Sequence, residues 1–547
     1  MANADTNQNS MTLSRIAHTT PTQPRRHSMP LRGLETTPSS PSFEGRFGRM
    51  FRNLPVFSVE DDLLIKLADK MVQEAEDDKE PGVEDEDENE EIPAGYTYLG
   101  QFIDHDITFD PISSLQRQND PDALVDFRTP RFDLDNLYGR GADDQPYMYE
   151  DGIHLLEGTP VDNDRRFAGP DLPRGPNDRA LIGDPRNDEN VIVSQMQSVF
   201  IRFHNRMVDR VSKSKPTLKG SDLLKETQRR IRWHYQWVVL HDFLPRILGG
   251  KDLEKGESII NDILRKKDFV AGVDANGKAI KASITDPQLL FYDWRKDPFI
   301  PVEFSAAAYR FGHSMVRPSY FFNDLVRNPN NKPFGRTPIF KGDIPSSDDL
   351  SGFRRLPEHC GVQWKYFFEM REDSSGPEKK SFKLPQHSYK IDTQIVNPLG
   401  KLPKPVASSP SSLPERNLRR GKALGLPSGQ AVTLAMGIRP LNEKEIGLDG
   451  ELAPLNTNTP LWFYVLKEAE TLCGGHHLGP VGGRIVAEVF IGLLTGDPLS
   501  YLSVEPNWTP ELAEGRRFDM PQLIEFAAAA TNPKPNEVRN GVRLVSG

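Results

Sequence analysis

Residues 193–211 read VSQMQSVFIRFHNRMVDRV, and their apolar side chains decide the fold class. These side chains recur at intervals of three and four residues, which places them on one face of a helix. They are Val193, Met196, Val199, Phe200, Phe203, Met207 and Val211. Arg202, Arg206 and Asp209 lie on the other faces, and we interpret His204 as a buried core histidine. The stretch therefore predicts one long, half-buried α-helix.

Helical spacing dominates the rest of the chain. A second helix is predicted from Ser221, as N-cap, to the Gly249-Gly250 pair, with Pro245 bending its last turn. Further helices are predicted over residues 302–316, 459–473, 483–495 and 520–529. Residues 318–348 and 368–413 are rich in Pro, Gly, Ser and Lys, which indicates long loops. The sequence therefore predicts a mainly α fold with long loops and little β-structure.

The composition fits one large domain. Of the 547 residues, 37% are hydrophobic and 27% are charged, and no flexible linker divides the helical part. Residues 1–42 are rich in Thr, Ser, Pro and Asn, so we predict a disordered tail before a domain spanning residues 43–547. With Cys360 and Cys473 as the only cysteines, the fold does not depend on disulfides.

Charge and hydropathy exclude several partners. A formal net charge of -10 makes general attraction to nucleic acid a poor hypothesis. No apolar run reaches the roughly 20 residues that cross a bilayer, which argues against an integral membrane segment. Because no signal peptide is recognisable, we expect a cytoplasmic address, with export without a cleaved signal left open.

Three polar segments stand out against apolar surroundings: 98–106 (YLGQFIDHD), 183–189 (GDPRNDE) and 304–315 (FSAAAYRFGHSM). In the first, at the predicted start of a helix, His105 lies between two carboxylates and is either a proton shuttle or part of a structural ion cluster. In the third, small side chains leave room for a flat group beside His313, which suits an axial haem ligand. Phosphate loops, HExxH helices and GxSxG elbows do not occur in the chain.

Together these segments resemble the animal-type haem peroxidases of the peroxidase-cyclooxygenase superfamily. The resemblance covers roughly residues 93–502, with the GQFIDHD, RNDE and YRFGHSMVRP segments in the family's order and at similar separations. Residues 478–494 (LGPVGGRIVAEVFIGLL) are similar to one of the family's C-terminal helices. The resemblance implies a single α-helical haem peroxidase domain that binds haem b and uses hydrogen peroxide.

The resemblance also implies roles for individual residues. His105 would move protons on the distal side of the haem, Arg186 would stabilise negative charge as the O–O bond breaks, and Gln101 would hold a water or halide. On the proximal side, His313 would bind the iron and donate a hydrogen bond to Asn417. The residues that would pair with haem propionates are Arg310 and Arg420.

Two carboxylates match the residues that form ester bonds to haem in this family, Asp104 and Glu189. Residue 190 is Asn, whereas myeloperoxidase has a methionine there that makes a third, sulfonium link. Without that link we expect oxidation of iodide, thiocyanate, bromide and small phenolic donors, with little or no oxidation of chloride.

Residues 129–139 (TPRFDLDNLYG) offer alternating oxygen donors of the kind that calcium requires. The segment resembles the family's calcium loop, which implies as ligands Thr129, the carbonyl of Arg131, Asp133 and Asp135, with Asp106 completing the site. The alternative is an ordinary solvated turn.

Two other functions stay open. A fatty-acid dioxygenase of the same superfamily carries a radical tyrosine three residues before the proximal histidine. Arg310 holds that position here, and Tyr309, one residue earlier, would be turned by about 100° on a helix. The second alternative is a non-catalytic scaffold, which the retention of His105, Arg186 and His313 disfavours.

Overall fold

The computed structural model describes the greater part of the chain. The described residues are 45–74, 85–108, 125–126, 128–161, 169–273, 278–292, 298–324, 335–342, 348–357, 360–371, 385–404, 407, 409–515 and 517–528. The predicted 1–42 tail lies outside these residues.

Helices are the predominant secondary structure of the described residues, as the sequence predicted. They are α1 (Asp61–Met71), α2 (Gly95–Ile107), α3 (Asp135–Tyr138), α4 (Val191–Ser214), α5 (Gly220–Val238), α6 (Leu244–Gly249), α7 (Leu253–Leu264), α8 (Val302–Ser305), α9 (Asn397–Gly400), α10 (Leu413–Ala423), α11 (Gly429–Ala435), α12 (Glu443–Ile446), α13 (Leu461–Cys473), α14 (Pro480–Gly496), α15 (Tyr501–Val504) and α16 (Met520–Ala528). Two short 3₁₀ helices, Pro185–Asp188 and Ala308–His313, carry residues of the predicted site.

The strands are few and short, and they are also as predicted. They are β1 (Gly45–Gly48), β2 (Glu88–Pro93), β3 (Val125–Asp126), β4 (Lys266–Val273), β5 (Ala279–Thr285), β6 (Ile300–Pro301), β7 (Ser319–Tyr320), β8 (Thr337–Pro338) and β9 (His387–Tyr389). β1 pairs with β3 antiparallel and with β6 parallel, and the remaining pairs β2–β9, β4–β5 and β7–β8 are antiparallel. In the described part of the chain, no helix combines the length and the apolar character that a membrane span requires.

The helix predicted from residues 193–211 is α4, at the centre of the core. Asn190 caps it by accepting a hydrogen bond from the backbone nitrogen of Val193 at 2.9 Å. The apolar face packs against α2, α5 and α16, and the rings of Phe102 and Phe200 stack with centroids 4.4 Å apart. This packing fixes α2, which carries four of the predicted site residues, relative to the core.

His204 is buried in α4, as interpreted from the sequence. Its Nδ1 lies 3.0 Å from the Tyr138 hydroxyl and its Nε2 lies 2.8 Å from the Ile153 carbonyl oxygen. Because the carbonyl can only accept, Nε2 carries the hydrogen and Nδ1 accepts from Tyr138. Burial lowers the pKa of His204 to about 4, so the ring is neutral at pH 7.

We expect His204 to make the protein less stable in mild acid. The unfolded chain binds a proton near pH 6.5 and the folded chain only near pH 4. The contribution of His204 to the free energy of unfolding is therefore complete above pH 6.5. It falls by roughly 3 kcal/mol as the pH drops towards 4. The measurement is the free energy of unfolding in urea at pH 7 and pH 4.5. His204→Gln should lose less stability than the wild type over that interval, and equal losses would contradict the assignment.

The second predicted helix is divided in the structure. It begins at Gly220 after Lys219, without the side-chain cap predicted for Ser221, and α5 continues into a π-helical turn, Val239–Phe243. α6 then runs from Leu244 to the predicted end at Gly249. Pro245 has no N–H for the carbonyl four residues earlier, so the hydrogen-bond ladder widens in the turn before it.

The single helix predicted over residues 302–316 is wrong. α8 ends at Ser305, and a 3₁₀ helix follows from Ala308 to His313. Tertiary hydrogen bonds override the local preference: Glu303 accepts from the backbone nitrogens of Met50 and Phe51 at 3.0 Å, and the Trp462 indole donates to the Arg310 carbonyl at 3.2 Å. The helices predicted over 459–473 and 483–495 are confirmed as α13 and α14, and the one predicted from 520 is confirmed as α16 over its described residues.

Candidate active site

Gln101, Asp104 and His105 lie on α2, in its C-terminal half and not at its start as predicted. The helix begins earlier because Tyr96, Tyr98 and Leu99 are buried, so the first turn packs into the core. His105 is buried, and its Nδ1 lies 2.7 Å from Asn187 Oδ1. Burial and then the nearby Arg186 charge lower the pKa of His105 to about 4, so its imidazole is neutral at pH 7 and can accept a proton.

Arg186 reaches the end of α2 from the 3₁₀ helix Pro185–Asp188. Its Nη2 donates to the His105 carbonyl at 3.2 Å and also to the Thr108 carbonyl. Asp184 is fully buried, accepts from the Arg186 backbone and guanidinium, and pairs with Arg128 at 2.6 Å. Although burial acts in the opposite direction, the two guanidinium groups hold the pKa of Asp184 below its ordinary value. Asp184 therefore stays ionised and fixes Arg186 beside His105.

Glu189 lies on the Nε2 side of His105. Its Oε1 is 3.9 Å from His105 Nε2 and accepts a hydrogen bond from the Gln101 amide. Asn190 holds the other end of this amide, because its Nδ2 donates to Gln101 Oε1 at 3.2 Å. Burial raises the pKa of Glu189 to about 7. The structure thus brings Gln101, His105 and Glu189 together.

His313 ends the 3₁₀ helix Ala308–His313 and meets α10. Its Nδ1 lies 2.8 Å from Asn417 Nδ2, while Asn417 Oδ1 accepts a hydrogen bond from Arg310 Nη1 at 3.2 Å. The predicted pair is therefore present, but the amide nitrogen faces His313 because Arg310 occupies the oxygen. Burial, and then Arg310, lower the pKa of His313 to about 3. In this arrangement the Asn417 amide donates to His313 Nδ1, so Nε2 carries the hydrogen; Nε2 would bind a metal once the amide has rotated and its oxygen accepts from Nδ1.

The two predicted propionate partners lie near this histidine along the chain. Arg310 is three residues before His313, and its Nε donates to the Ser305 carbonyl at 2.9 Å. Arg420 is one helical turn beyond Asn417 on α10, and so on a similar face of that helix.

The two histidine-bearing elements are in contact. α2 packs against the 3₁₀ helix Ala308–His313, and the Tyr309 hydroxyl donates to the Gly100 carbonyl at 3.1 Å. A Cβ at Gly100 would lie 3.3 Å from two ring atoms of Phe243, so the contact leaves little room. The Tyr309 ring stacks on Phe304 with centroids 4.8 Å apart. Tyr309 is thus bound to the backbone of α2, which supports the prediction that it does not act as a dioxygenase tyrosine.

We infer that the site residues surround a recess inside the protein. Gln101, Asp104, Glu189, Arg310 and His313 each retain some accessible surface. Yet the surroundings are dense enough to raise the pKa of Glu189 and to lower those of Arg310 and His313. Side chains that are partly accessible and strongly desolvated line an internal recess. An imidazole with arginines nearby in the sequence is the kind of residue set that would hold a haem with anionic propionates.

Buried carboxylates gather beside this recess in the predicted calcium segment. Both oxygens of Asp106 and Oδ1 of Asp133 are buried and make no hydrogen bond of ordinary geometry, although the Leu134 backbone and the Tyr235 side chain lie close to Asp106. Burial and the charges of Asp133 and Asp135 raise the pKa of Asp106 well above its ordinary value, and burial and then Asp133 raise that of Asp135 to about 7.

The neighbours of these carboxylates come from the same segment. The Thr129 hydroxyl donates to Asp133 Oδ2 at 2.6 Å, and Arg131 Nε lies 4.0 Å from Asp497 Oδ1. Within the described residues, no three His, Cys, Asp or Glu side chains already surround a metal position. A cation would therefore draw Asp106, Asp133 and Asp135 closer together.

Two functional neighbours were not predicted from the sequence. Asn187 contacts His105 directly, and Asn187 Nδ2 donates to Gln197 Oε1 at 2.8 Å. Asp184, which holds Arg186, was also missed. The available signal was that Gln195 and Gln197 are polar residues within a stretch of α4 that is otherwise mostly apolar.

Comparisons with known proteins match part of the chain to a family profile. Residues 149–353 match the profile of the animal haem peroxidase family, a range that contains Arg186, Glu189 and His313. The chain is 24% identical over 262 residues to a dual oxidase of Drosophila melanogaster, covering 47% of this chain and 14% of that protein. It is 22% identical over 355 residues to the peroxidasin homolog pxn-2 of Caenorhabditis elegans, covering 63% and 23%. The chain thus spans less than a quarter of these relatives.

Solved structures share the fold. Peroxidase A from Dictyostelium discoideum superposes with a TM-score of 0.51 at 15% identity, covering 86% of this chain and 90% of that one. A fatty acid alpha-dioxygenase from Arabidopsis thaliana gives a TM-score of 0.53 at 14% identity, covering 89% and 76%. The family profile over residues 149–353, the curated relatives and the shared fold together show that the chain is similar to the animal haem peroxidases.

Proposed function

We propose that this protein is a haem peroxidase that reduces hydrogen peroxide and oxidises iodide, thiocyanate, bromide and small aromatic donors. The observation that carries the proposal is the contact between α2 and the 3₁₀ helix Ala308–His313. It places the buried His105 and the half-buried His313, both neutral at pH 7, on adjoining elements around one recess. One of them has a nitrogen suited to a metal, and the other lies beside an arginine and a glutamate.

The residues on the His313 side would hold the haem. When bound, haem supplies an iron that exchanges electrons with peroxide and with the donor. His313 Nε2 would bind the iron, and Asn417 would orient the imidazole through Nδ1. Arg310 and Arg420 would pair with the propionates, and release of Asn417 by Arg310 would free the amide oxygen to accept from His313.

The residues on the His105 side would handle peroxide. His105 Nε2 would take a proton from one peroxide oxygen and return it to the other, which a neutral imidazole can do at pH 7. Arg186, held by Asp184, would offset the negative charge that develops as the O–O bond breaks. Gln101, fixed between Glu189 and Asn190, would bind a water or halide.

Asp104 and Glu189 are the proposed sites of ester bonds to haem. Both line the recess, and the raised pKa of Glu189 keeps a share of that carboxyl protonated near neutral pH. Acid-acetone extraction of the purified holoprotein, after turnover with peroxide, is the test. Haem that stays with the polypeptide supports the two links, and complete release of haem would remove them from the proposal.

The expected donor range gives a direct test of the function. Asn190 caps α4 and holds Gln101, so no methionine sulfur is available at this position for a third link. We expect peroxide-dependent oxidation of iodide, thiocyanate, bromide and phenols, with chloride at least tenfold slower than bromide. The measurement is halogenation of an organic acceptor, with peroxide omitted as the control. Chlorination as fast as bromination would show that the donor assignment is wrong.

We also propose that calcium binds between α2 and residues 129–135. The support is the buried Asp106 carboxylate, which makes no hydrogen bond of ordinary geometry and lies among acidic neighbours, since such a group requires a cation or a proton. Asp106, Thr129, Asp133 and Asp135 would supply side-chain oxygens, and Arg131 its carbonyl. Asp106 adjoins His105, so the cation would stabilise the catalytic end of α2.

Chelation of calcium is expected to destabilise the protein. Calcium at one hundred times its dissociation constant would stabilise the folded state by about 2.7 kcal/mol, so the melting temperature should fall with chelator and recover with calcium. Asp106→Asn should abolish the response. Asp242→Asn is the matched control, because this buried carboxylate is satisfied by Tyr96, Arg246 and the Met520 backbone. A wild type indifferent to chelator in stability and haem spectrum would count against the site.

A further inference from the structure

A chain of side-chain amides lies behind His105. Asn187 Oδ1 is 2.7 Å from His105 Nδ1, and Asn187 Nδ2 donates to Gln197 Oε1 at 2.8 Å. Gln197 Nε2 then donates to the backbone carbonyl of Asn136 at 3.4 Å. Asn187 and Gln197 are completely buried, so water does not compete for these groups. This series of hydrogen bonds joins three elements: α2, the 3₁₀ helix Pro185–Asp188 and α4.

The direction of every hydrogen bond in this chain follows from its far end. The Asn136 carbonyl can only accept, so the nitrogen of the Gln197 amide must face it. The Gln197 oxygen is then turned to Asn187 and accepts from its nitrogen. This leaves the Asn187 oxygen for His105, so His105 Nδ1 must carry the hydrogen. A rotated amide at either position would place two acceptors or two donors in contact inside the protein.

A competing influence acts on the other ring nitrogen. Glu189 Oε1 is 3.9 Å from His105 Nε2, and a carboxylate there attracts a hydrogen onto Nε2. That separation exceeds hydrogen-bond distance, whereas the contact between Nδ1 and Asn187 is within it. In addition, Glu189 already accepts from Gln101. The amide chain therefore decides which nitrogen carries the hydrogen.

We propose that Asn187 and Gln197 are positioning residues that hold His105 with the hydrogen on Nδ1 and the lone pair on Nε2. This inference rests on the proposed peroxidase function, in which Nε2 takes a proton from one peroxide oxygen and returns it to the other. An amide oxygen accepts a hydrogen bond but does not take the proton at neutral pH. Proton transfer is thus confined to Nε2, which faces the recess, and His105 is neutral again after each transfer.

The test compares substitutions at the two amides in the holoprotein. Asn187→Leu removes the acceptor at similar size, and we expect the rate constant for reaction with hydrogen peroxide to fall by about 100-fold or more, the scale of general acid-base catalysis. Asn187→Asp keeps an acceptor for Nδ1 but sets its second oxygen against Gln197 Oε1, so its rate constant should lie between those of wild type and Asn187→Leu. Gln197→Leu allows the Asn187 amide to rotate and should lower the rate constant by about tenfold.

Cyanide binding supplies a second readout that requires no turnover. Hydrogen cyanide must give its proton to a distal base when it binds ferric haem, so cyanide affinity, followed at the haem absorption band, should weaken in the same order as the peroxide rate. If the wild type binds haem and cyanide but does not react with peroxide, the proposed function fails, while the order of cyanide affinities still decides the role of the amides.

Gln195→Leu is the matched control. This buried amide, two residues earlier on α4, donates to the Pro170 carbonyl at 2.7 Å and accepts from the Val362 backbone at 3.2 Å, and no contact joins it to His105. We expect lower stability with the peroxide rate and cyanide affinity within about twofold of wild type. Wild-type values for Asn187→Leu, or equal losses for Gln195→Leu and Gln197→Leu, would overturn the inference.

Discussion

His313→Ala is expected to yield a protein that folds but does not retain haem. The substitution removes the nitrogen that would bind iron, while Arg310 and Asn417 remain in place. Ester bonds do not compensate, because they form only after haem has been seated. We expect the haem absorption band, normalised to protein after desalting, to fall by more than tenfold.

The control is His476→Ala. His476 is half-buried and hydrogen-bonds Asn89 beyond α13, with no contact to the recess. It should keep full haem content. Free imidazole should restore part of the haem absorption band in the His313→Ala protein, because it can occupy the space left by the missing ring. Full haem content in His313→Ala without imidazole would place the iron ligand elsewhere and contradict the proposed function.

His105→Leu is expected to keep haem and lose the reaction with peroxide. Leucine fills much of the imidazole volume but cannot accept a proton, so the rate constant for the spectral change on mixing with peroxide should fall by about 100-fold to 10,000-fold. Stopped-flow absorbance of the holoprotein measures this step directly. A rate constant within tenfold of wild type would remove His105 from its role.

Tyr309→Phe separates the peroxidase from the dioxygenase alternative. This change removes only the hydrogen bond to the Gly100 carbonyl, so the peroxide rate constant should remain within about twofold of wild type. Oxygen uptake with linoleate should be absent in both proteins. Uptake by the wild type that disappears in Tyr309→Phe would favour the dioxygenase instead.

Elements formed by local interactions could be predicted from the sequence. α4 follows from its apolar spacing and ends within a few residues of the prediction, because one face of the helix is buried along its whole length. Residues 302–316 could not be predicted, because Glu303 and Arg310 are bound by the backbone of Met50 and by the indole of Trp462, which are distant in sequence. No local pattern encodes those contacts.

The site shows the same division. His105, Arg186 and His313 stand in motifs, so their residue types and order identify them. Asn187 and Gln197 gain their role only when α4 and the 3₁₀ helix before it pack against α2. The residue types Asn and Gln alone do not indicate which groups they will hydrogen-bond. The orientation of the Asn417 amide likewise depends on Arg310, which lies on another element.

The hydrogen bond from Tyr309 to Gly100 has a consequence for how such a protein can diversify. It ties the His313 side of the site to the His105 side at a point where even a methyl group would press on Phe243. Because α2 and the 3₁₀ helix Ala308–His313 are joined in this way, neither can move without the other. The distance between them should therefore vary little among related proteins. New donor preferences should therefore arise from substitutions at the entrance, where side chains can vary without altering that distance.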